Sequence, residues 1–326
     1  MNTEVEPVFF DNRDNLRLYG ILHRSQDARK DVGIIILSPG IKSRVAPHRL
    51  YVKMANRFYE MGFCVLRFDP HGIGDSEGEI EARTTADFYG SVQVGRFVND
   101  TIDAMDWMEN AHGISRFILA GLCGGAITGL LTGAIDQRVH SLLGLGIPVI
   151  LDSAKADQTK YMTRGQLEDL RGSYLKKLLD LKSWTRFLSL KSDYRLIYRS
   201  ILTAIKGETV QLNTPHPSPP VENEGVRVES NELGNNFNPY FPMALHNVLS
   251  SRKVLLIFSE ADRLFWEFEE KYMGLYKNEY EKHNDRAEIY ITKDANHVFS
   301  FKEWQAEMLN KSVLWLNKNY SAELQE

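Results

Sequence analysis

Cysteine is scarce. The 326 residues contain two, Cys64 and Cys123. Two isolated thiols supply neither the paired framework of a disulfide-stapled secreted domain nor a CxxC metal or redox motif. Long apolar runs are missing as well: none reaches the roughly 18 residues needed to span a bilayer. The opening stretch MNTEVEPVFF is acidic and lacks a basic n-region followed by an apolar h-region, so no secretory signal is expected. These absences together predict a cytoplasmic protein with both thiols reduced. There is no basic excess either. A net charge of −4 argues against nucleic acid as the main partner, because phosphate binding calls for clustered Lys and Arg. No pair of histidines has a metal-ligand spacing such as HExxH, so neither metal nor cofactor is expected. No internal repeat is visible. What remains is ordinary globular composition, 43% hydrophobic and 25% charged, in a chain whose length suits one large domain carrying an insertion.

The pattern along the chain predicts an α/β architecture. EPVFF and LRLYGILHR flank the turn-rich DNRDN and read as an antiparallel hairpin. The β-branched run VGIIILSPG, Val32–Gly40, reads as a strand buried on both faces. Leu50, Met54 and Phe58 then recur at helical spacing, and CVLRFD follows as a strand. A long amphipathic stretch from Asp87 to Asn110 carries Val94, Val98, Ile102 and Met105 at steps of four, four and three, and reads as one helical segment. It leads into the strand FILAG, a helix after Gly124, and the strand VHSLLGLGIPVI. Strands alternating with helices predict a mostly parallel central sheet with helices on both faces. The first part of this core is expected over 1–150 and the second over 246–326. Between them, 151–245 reads as a helical cap insertion, with a flexible Pro- and Asn-rich loop near 207–239.

Chemistry concentrates in the stretch RFILAGLCGGAITGLL, where Gly121-Leu122-Cys123-Gly124-Gly125 joins a strand to a helix. That context is the one required of a nucleophile elbow. Its turn is tight enough for flanking side chains to collide, which calls for glycine, and the nucleophile itself takes a strained backbone conformation. The following amides sit at a helix N-terminus, where they favour developing negative charge. A small buried cysteine in a glycine-rich turn would give the same five letters.

A cysteine nucleophile needs a base, and the base an orienting carboxylate. In this architecture they follow in the order nucleophile, acid, histidine. Asp262 stands just past the strand LLIFS and His297 just past the strand IYIT, so both are expected on the same sheet edge as Cys123. Taken alone, Asp262 is equally an N-cap residue, and Glu260 and Asp294 compete for its role. Oxyanion donors are expected from the backbone N–H of Gly124 and, from the loop after GIIILSPG, the backbone N–H of Ile41. Of the other histidines, His71 is expected to help shape its own turn, and His48 and His112 read as surface or loop residues.

With these residues in place the chain resembles the α/β-hydrolase superfamily over nearly its whole length. RFDPHGIGDSEG, Arg67–Gly78, is similar to the Asp-x-x-Gly-x-Gly-x-Ser-x-Gly loop of its serine aminopeptidase-like and lysophospholipase-like branch, and DANHVFS to its histidine loop. YLKKLLDLKSWTRFLS resembles the cap of the exosortase-system-associated hydrolases. Most of that branch carries Ser in the elbow where this chain has Cys123. Cysteine nucleophiles occur elsewhere in the superfamily, in dienelactone hydrolases, polyhydroxyalkanoate synthases and bile-acid acyl-CoA transferases. The resemblance therefore implies acyl chemistry through a covalent intermediate.

A thiol of ordinary pKa ~8.5 is acidified beside an imidazolium or at a helix N-terminus, so a partly formed thiolate–imidazolium pair is expected. The expected function is an acyl hydrolase, thioesterase or esterase, with an acyl-cysteine intermediate. An acyltransferase to an amine, alcohol or thiol acceptor is the alternative, and a catalytically silent hydrolase-fold binding protein the reading of a different class. The expected partner is a small-molecule acyl substrate. Basic residues outnumber acidic ones roughly two to one across Lys155–Lys206. Arg164, Arg171, Lys176, Lys177 and Arg186 would thus suit steering of an anionic carrier such as coenzyme A or an acyl carrier protein.

Overall fold

The run Val32–Leu37 is buried along its whole length, and the strand it forms lies inside the sheet. The computed structural model describes residues 4–24, 31–152 and 236–320. Its eight-stranded sheet runs in the order β1-β2-β4-β3-β5-β6-β7-β8. The strands are β1 (Glu4–Asp11), β2 (Arg17–Arg24), β3 (Val32–Leu37), β4 (Cys64–Phe68), β5 (Arg116–Leu122), β6 (Val139–Leu145), β7 (Lys253–Ser259) and β8 (Ala287–Thr292). The β1–β2 hairpin joins β4 antiparallel, and every pairing from β4 to β8 is parallel. From β3 the chain steps one way to β4 and then back across to β5. That reversal opens a crevice at the carboxyl ends of β3 and β5, where open α/β sheets bind their ligands.

Alternation along the central strands divides the core in two. Ile34, Ile36, Val65, Ile118 and Ala120 point to one face, against Tyr51, Met54 and Phe58 of α1 (Leu50–Glu60) and Met308 and Leu316 of the closing helix Lys302–Tyr320. Ile35, Leu37, Leu66, Leu119 and Leu142 point to the other. There they meet Met105 and Met108 of α3 (Val98–His112), Ile127 and Leu130 of α4 (Gly124–Ile135), and Leu245 and Val248 of the helix Phe241–Ser251. Each such side chain, fully buried, contributes about 1.5–3 kcal/mol. This is the α/β-hydrolase fold.

The stretch 87–110 departs from the expected single segment. It forms α2 (Thr85–Gln93) and α3, separated by a turn in which Gly95 takes φ 108° and Val94 is exposed. The apolar steps carry through the break, so periodicity alone does not reveal it; a backbone conformation that only glycine adopts readily does. The consequence is that α2 turns aside and its Gln93 side chain bonds Asp152 through both its oxygen and its nitrogen, at 2.7 and 3.2 Å.

Residues 1–154 with 237–326 make one compact unit, and 155–236 another. The helix Phe241–Ser251 packs within the first, ahead of the expected return to the core at 246. Most of the expected cap, 151–245, and of the loop 207–239 lies outside the described residues, as do Arg164, Arg171, Lys176, Lys177 and Arg186. Among the described residues no helix is long and apolar enough to cross a membrane.

Candidate active site

The turn after β5 is as tight as its glycines require. A Cβ on Gly121 would lie 2.5 Å from the carbonyl carbon of Gly125, and one on Gly125 would lie 2.2 Å from the carbonyl oxygen of Leu37. Only bare backbone fits on either side of Cys123. Cys123 itself takes φ 54° and ψ −112°, a conformation costing of order 1–3 kcal/mol in a non-glycine residue. Two bonds hold it there. Its N–H donates to Leu145 O at 2.8 Å. The N–H of Leu122 just before it donates to the buried Tyr51 Oη at 2.7 Å. Burial raises the pKa of Tyr51 above the ordinary phenol value, which keeps that group protonated. Cys123 remains partly exposed.

Asp262 and His297 arrive from the ends of β7 and β8. The Asp262 carboxylate is buried and serves two purposes. Its Oδ1 caps the helix Arg263–Glu267 by accepting the Leu264 N–H at 3.2 Å. Its Oδ2 accepts from His297 Nδ1 at 2.6 Å. Asp262 therefore both caps the helix and bonds the imidazole, because a carboxylate has oxygens enough for each. With Nδ1 engaged by Asp262, the other ring nitrogen of His297 is the one left for Cys123, which is near enough to act on the imidazole. Burial pulls the imidazole pKa down. The hydrogen bonds to Asp262 and Cys123, with their charges, outweigh it and raise the pKa to about 10. The Glu260 carboxylate is engaged elsewhere, its Oε2 accepting the Asp294 backbone N–H at 2.9 Å.

On the opposite side of Cys123 stands the loop after β3. Gly124 begins α4, so its N–H has no carbonyl acceptor within the helix and faces outward from the N-terminus. The Ser38 hydroxyl ties the loop to itself, bonding the carbonyls of Gly40 at 3.0 Å and Lys42 at 2.6 Å. Tyr89 of α2 packs on the same loop, where a Cβ on Gly40 would lie 2.6 Å from its Cε1. Burial, then the proximity of Cys123, raises the pKa of that phenol. Arg263 brings a cation to the same region. Its guanidinium bonds Asp152 at 3.2 Å and lies 3.6 Å from Glu267. Burial lowers its pKa, and the charges of Glu267, Asp152 and Cys123 more than reverse the effect.

The structure thus brings Cys123, His297 and Asp262 together and sets Gly121, Leu122, Gly124 and Gly125 around them. Tyr51, Tyr89 and Arg263 carry no motif. The second cysteine has a different character. Cys64 is sealed in the sheet, where burial pushes its thiol up to about 12.

No protein-family model matches the chain. It is 30% identical over 155 residues to the polyketide transferase grgF of a Penicillium species, a match covering 45% of each, so the chain spans less than half the length of that curated relative in the alignment. Among solved structures it is similar to an esterase of Pyrococcus furiosus, with TM-score 0.55 and 16% identity over 97% of this chain and 93% of that one. It is also similar to the α/β hydrolase GrgF from Penicillium sp. sh18, with TM-score 0.52 and 19% identity over 97% and 98%.

Proposed function

We propose that this chain is an acyl hydrolase, a thioesterase or esterase, that works through an acyl-Cys123 intermediate. The observation that carries the reading is the constellation at the elbow. A cysteine at positive φ stands beside an imidazole whose Nδ1 lies 2.6 Å from a buried carboxylate. Strain of that kind persists only where the surroundings enforce it, and here Gly121, Gly125, Tyr51 and Leu145 do so.

The chemistry follows from the geometry. In the thiolate–imidazolium pair the proton of Cys123 rests on the nitrogen of His297 that faces it, and Sγ attacks the carbonyl carbon of the substrate. A carbon–sulfur bond forms and the carbonyl π pair moves onto oxygen, beside the Gly124 N–H. Asp262 holds the imidazole in the tautomer that can receive this proton and stabilises the resulting cation. When the tetrahedral intermediate collapses, the bond to the leaving group breaks and the imidazolium returns a proton to the departing alkoxide or thiolate. Water then gives a proton to His297 and attacks the thioester. The free acid leaves, and the thiolate–imidazolium pair is restored. A thioester substrate matches the acyl-enzyme in energy, which makes thioesters and activated esters better substrates than amides.

A second reading has its own support. The curated relative is named a polyketide transferase, and an acyl-cysteine is readily attacked by amines, alcohols or thiols. In that case an acceptor replaces water in the last step.

Intact-mass measurement tests both readings. Wild-type protein incubated with short-chain acyl thioesters or p-nitrophenyl esters is expected to gain one acyl group, lost again in buffer, with Cys123→Ala gaining none. A conjugate in place of free acid on adding acceptors selects transfer. Equal labelling of wild type and Cys123→Ala, or of neither, overturns the enzymatic reading in favour of a silent binding protein.

A further inference from the structure

We infer that Gln305 is a positioning residue for the base: its buried side-chain amide pins the turn that carries His297 and so holds the imidazole against Cys123. The inference rests on the acyl-Cys123 reading above. It adds a residue that touches neither the sulfur nor the substrate.

The amide is held one way round. Gln305 is buried in the first turn of the closing helix Lys302–Tyr320. Its Nε2 donates to the Phe299 carbonyl oxygen at 2.7 Å, and its Oε1 accepts from Lys53 Nζ, which reaches across from α1. An ammonium can only donate and a carbonyl can only accept, so the amide cannot flip without losing both partners. The helix does not need this side chain to close its first turn. The Gln305 backbone N–H does that, donating to the Phe301 carbonyl at 3.1 Å.

What the amide holds is strained. Phe299, two residues past His297, takes φ 51°. A bulky aromatic residue keeps that left-handed conformation only where its surroundings impose it. Its N–H donates to the Asn296 carbonyl at 3.0 Å, closing a turn with His297 inside. The Asn296 side chain secures the same turn by accepting the Ser300 N–H at 3.1 Å.

The near end of the turn is tied to the acid. Ala295, two residues before His297, accepts the Ala261 N–H at 3.0 Å, next to Asp262. The histidine therefore hangs between two fixed points, one on the Asp262 loop and one on the closing helix. Ala295, Phe299 and Met308 belong to the apolar cluster against which Cys123 packs, so a shift of the turn is felt at the sulfur. A misplacement of about 1 Å at a reacting group can cost about 10²-fold in rate.

Gln305→Met tests the inference. It keeps the side-chain length, adds no charge and removes the donor, while the exposed Lys53 turns to water. The pH dependence of Cys123 alkylation by iodoacetamide reads the thiolate, which is the reacting form. The titratable groups around the sulfur, His297, Asp262, Arg263, Tyr51 and Tyr89, are the same in both proteins. The wild-type midpoint is expected below the ordinary thiol value of ~8.5. In Gln305→Met it is expected to rise by about one pH unit, a loss of about tenfold in thiolate below both midpoints. A lower melting temperature with an unchanged midpoint overturns the inference, because the amide then serves stability alone. Should Gln305→Met fail to fold, Lys53→Met at its exposed position frees the amide to turn. Read at high ionic strength, which screens the lost surface charge, its midpoint is expected to rise by less, and no rise overturns the inference. A wild-type midpoint at or above ~8.5 brings down the ion pair and with it the acyl-enzyme reading. A depressed midpoint shared by wild type and Gln305→Met removes only Gln305.

Discussion

The molecule contains two Asp–His pairs of nearly the same geometry. His297 Nδ1 lies 2.6 Å from Asp262 Oδ2, and His71 Nδ1 lies 2.7 Å from Asp100 Oδ2. Both carboxylates are buried and both imidazoles partly exposed. They differ in what surrounds them. Asp100 is saturated by structural donors, the His71 N–H at 2.8 Å and Asn12 Nδ2 at 2.8 Å, and the His71 ring meets Phe97 edge-on. The pair staples the loop after β4 to α3 and to the hairpin turn. Asp262 keeps one oxygen for the imidazole, and that imidazole reaches a strained cysteine. An imidazole bonded to a carboxylate is thus no mark of catalysis. The group on the far nitrogen decides.

Asparagine substitutions put the comparison to its hardest test. Asp262→Asn removes the acceptor that fixes the His297 tautomer, and is expected to slow Cys123 acylation by about 10²–10⁴-fold. The folded fraction, followed by thermal melting, should change far less. Asp100→Asn is the counterpart. It is expected to cost about 1–3 kcal/mol of stability by leaving buried donors unpaired, with the acylation rate per folded molecule unchanged. Acylation rates that fall alike in both variants would erase the distinction between the pairs.

Between these two effects in size lies a pH dependence. A third imidazole, His23, is buried and faces a guanidinium instead: Arg67 Nε donates to His23 Nε2 at 3.1 Å. Burial, then the Arg67 charge, lowers its pKa from 6.5 to about 4. A group depressed on folding binds its proton first in the unfolded chain. Stability is therefore lost as pH falls from 6.5 toward 4, by up to about 3 kcal/mol. His297 has the opposite sign. Raised on folding to about 10, it contributes stability that is full below pH 6.5 and fades as pH rises through 10. Urea melts across both windows check this. His23→Gln should flatten the acid side alone, and Asp262→Asn the alkaline side alone.

How far the sequence carried the reading depends on whether a feature is local. The buried run of β3, the elbow with its two glycines, and the order of Cys123, Asp262 and His297 are set by neighbours along the chain, and all are legible there. The choice of Asp262 over Glu260 and Asp294 is not, because all three carboxylates stand within a few residues of the same two strand ends. The path of the backbone decides it, pairing Glu260 with the Asp294 amide. Tyr51 is hidden for a related reason: its hydroxyl accepts from the Leu122 N–H at the end of β5, a partner brought near only by the sheet order. The break at Gly95 escapes because Val94 continues the apolar rhythm into solvent.

Burial of Cys64 has one practical consequence. Electrophilic reporters need an accessible sulfur, and of this chain's two Cys64 is buried while Cys123, at the elbow, is partly exposed. A fluorophore or nitroxide carried on an alkylating group will attach at one point without any engineered background. Whatever enters or leaves the crevice can then be followed from inside it.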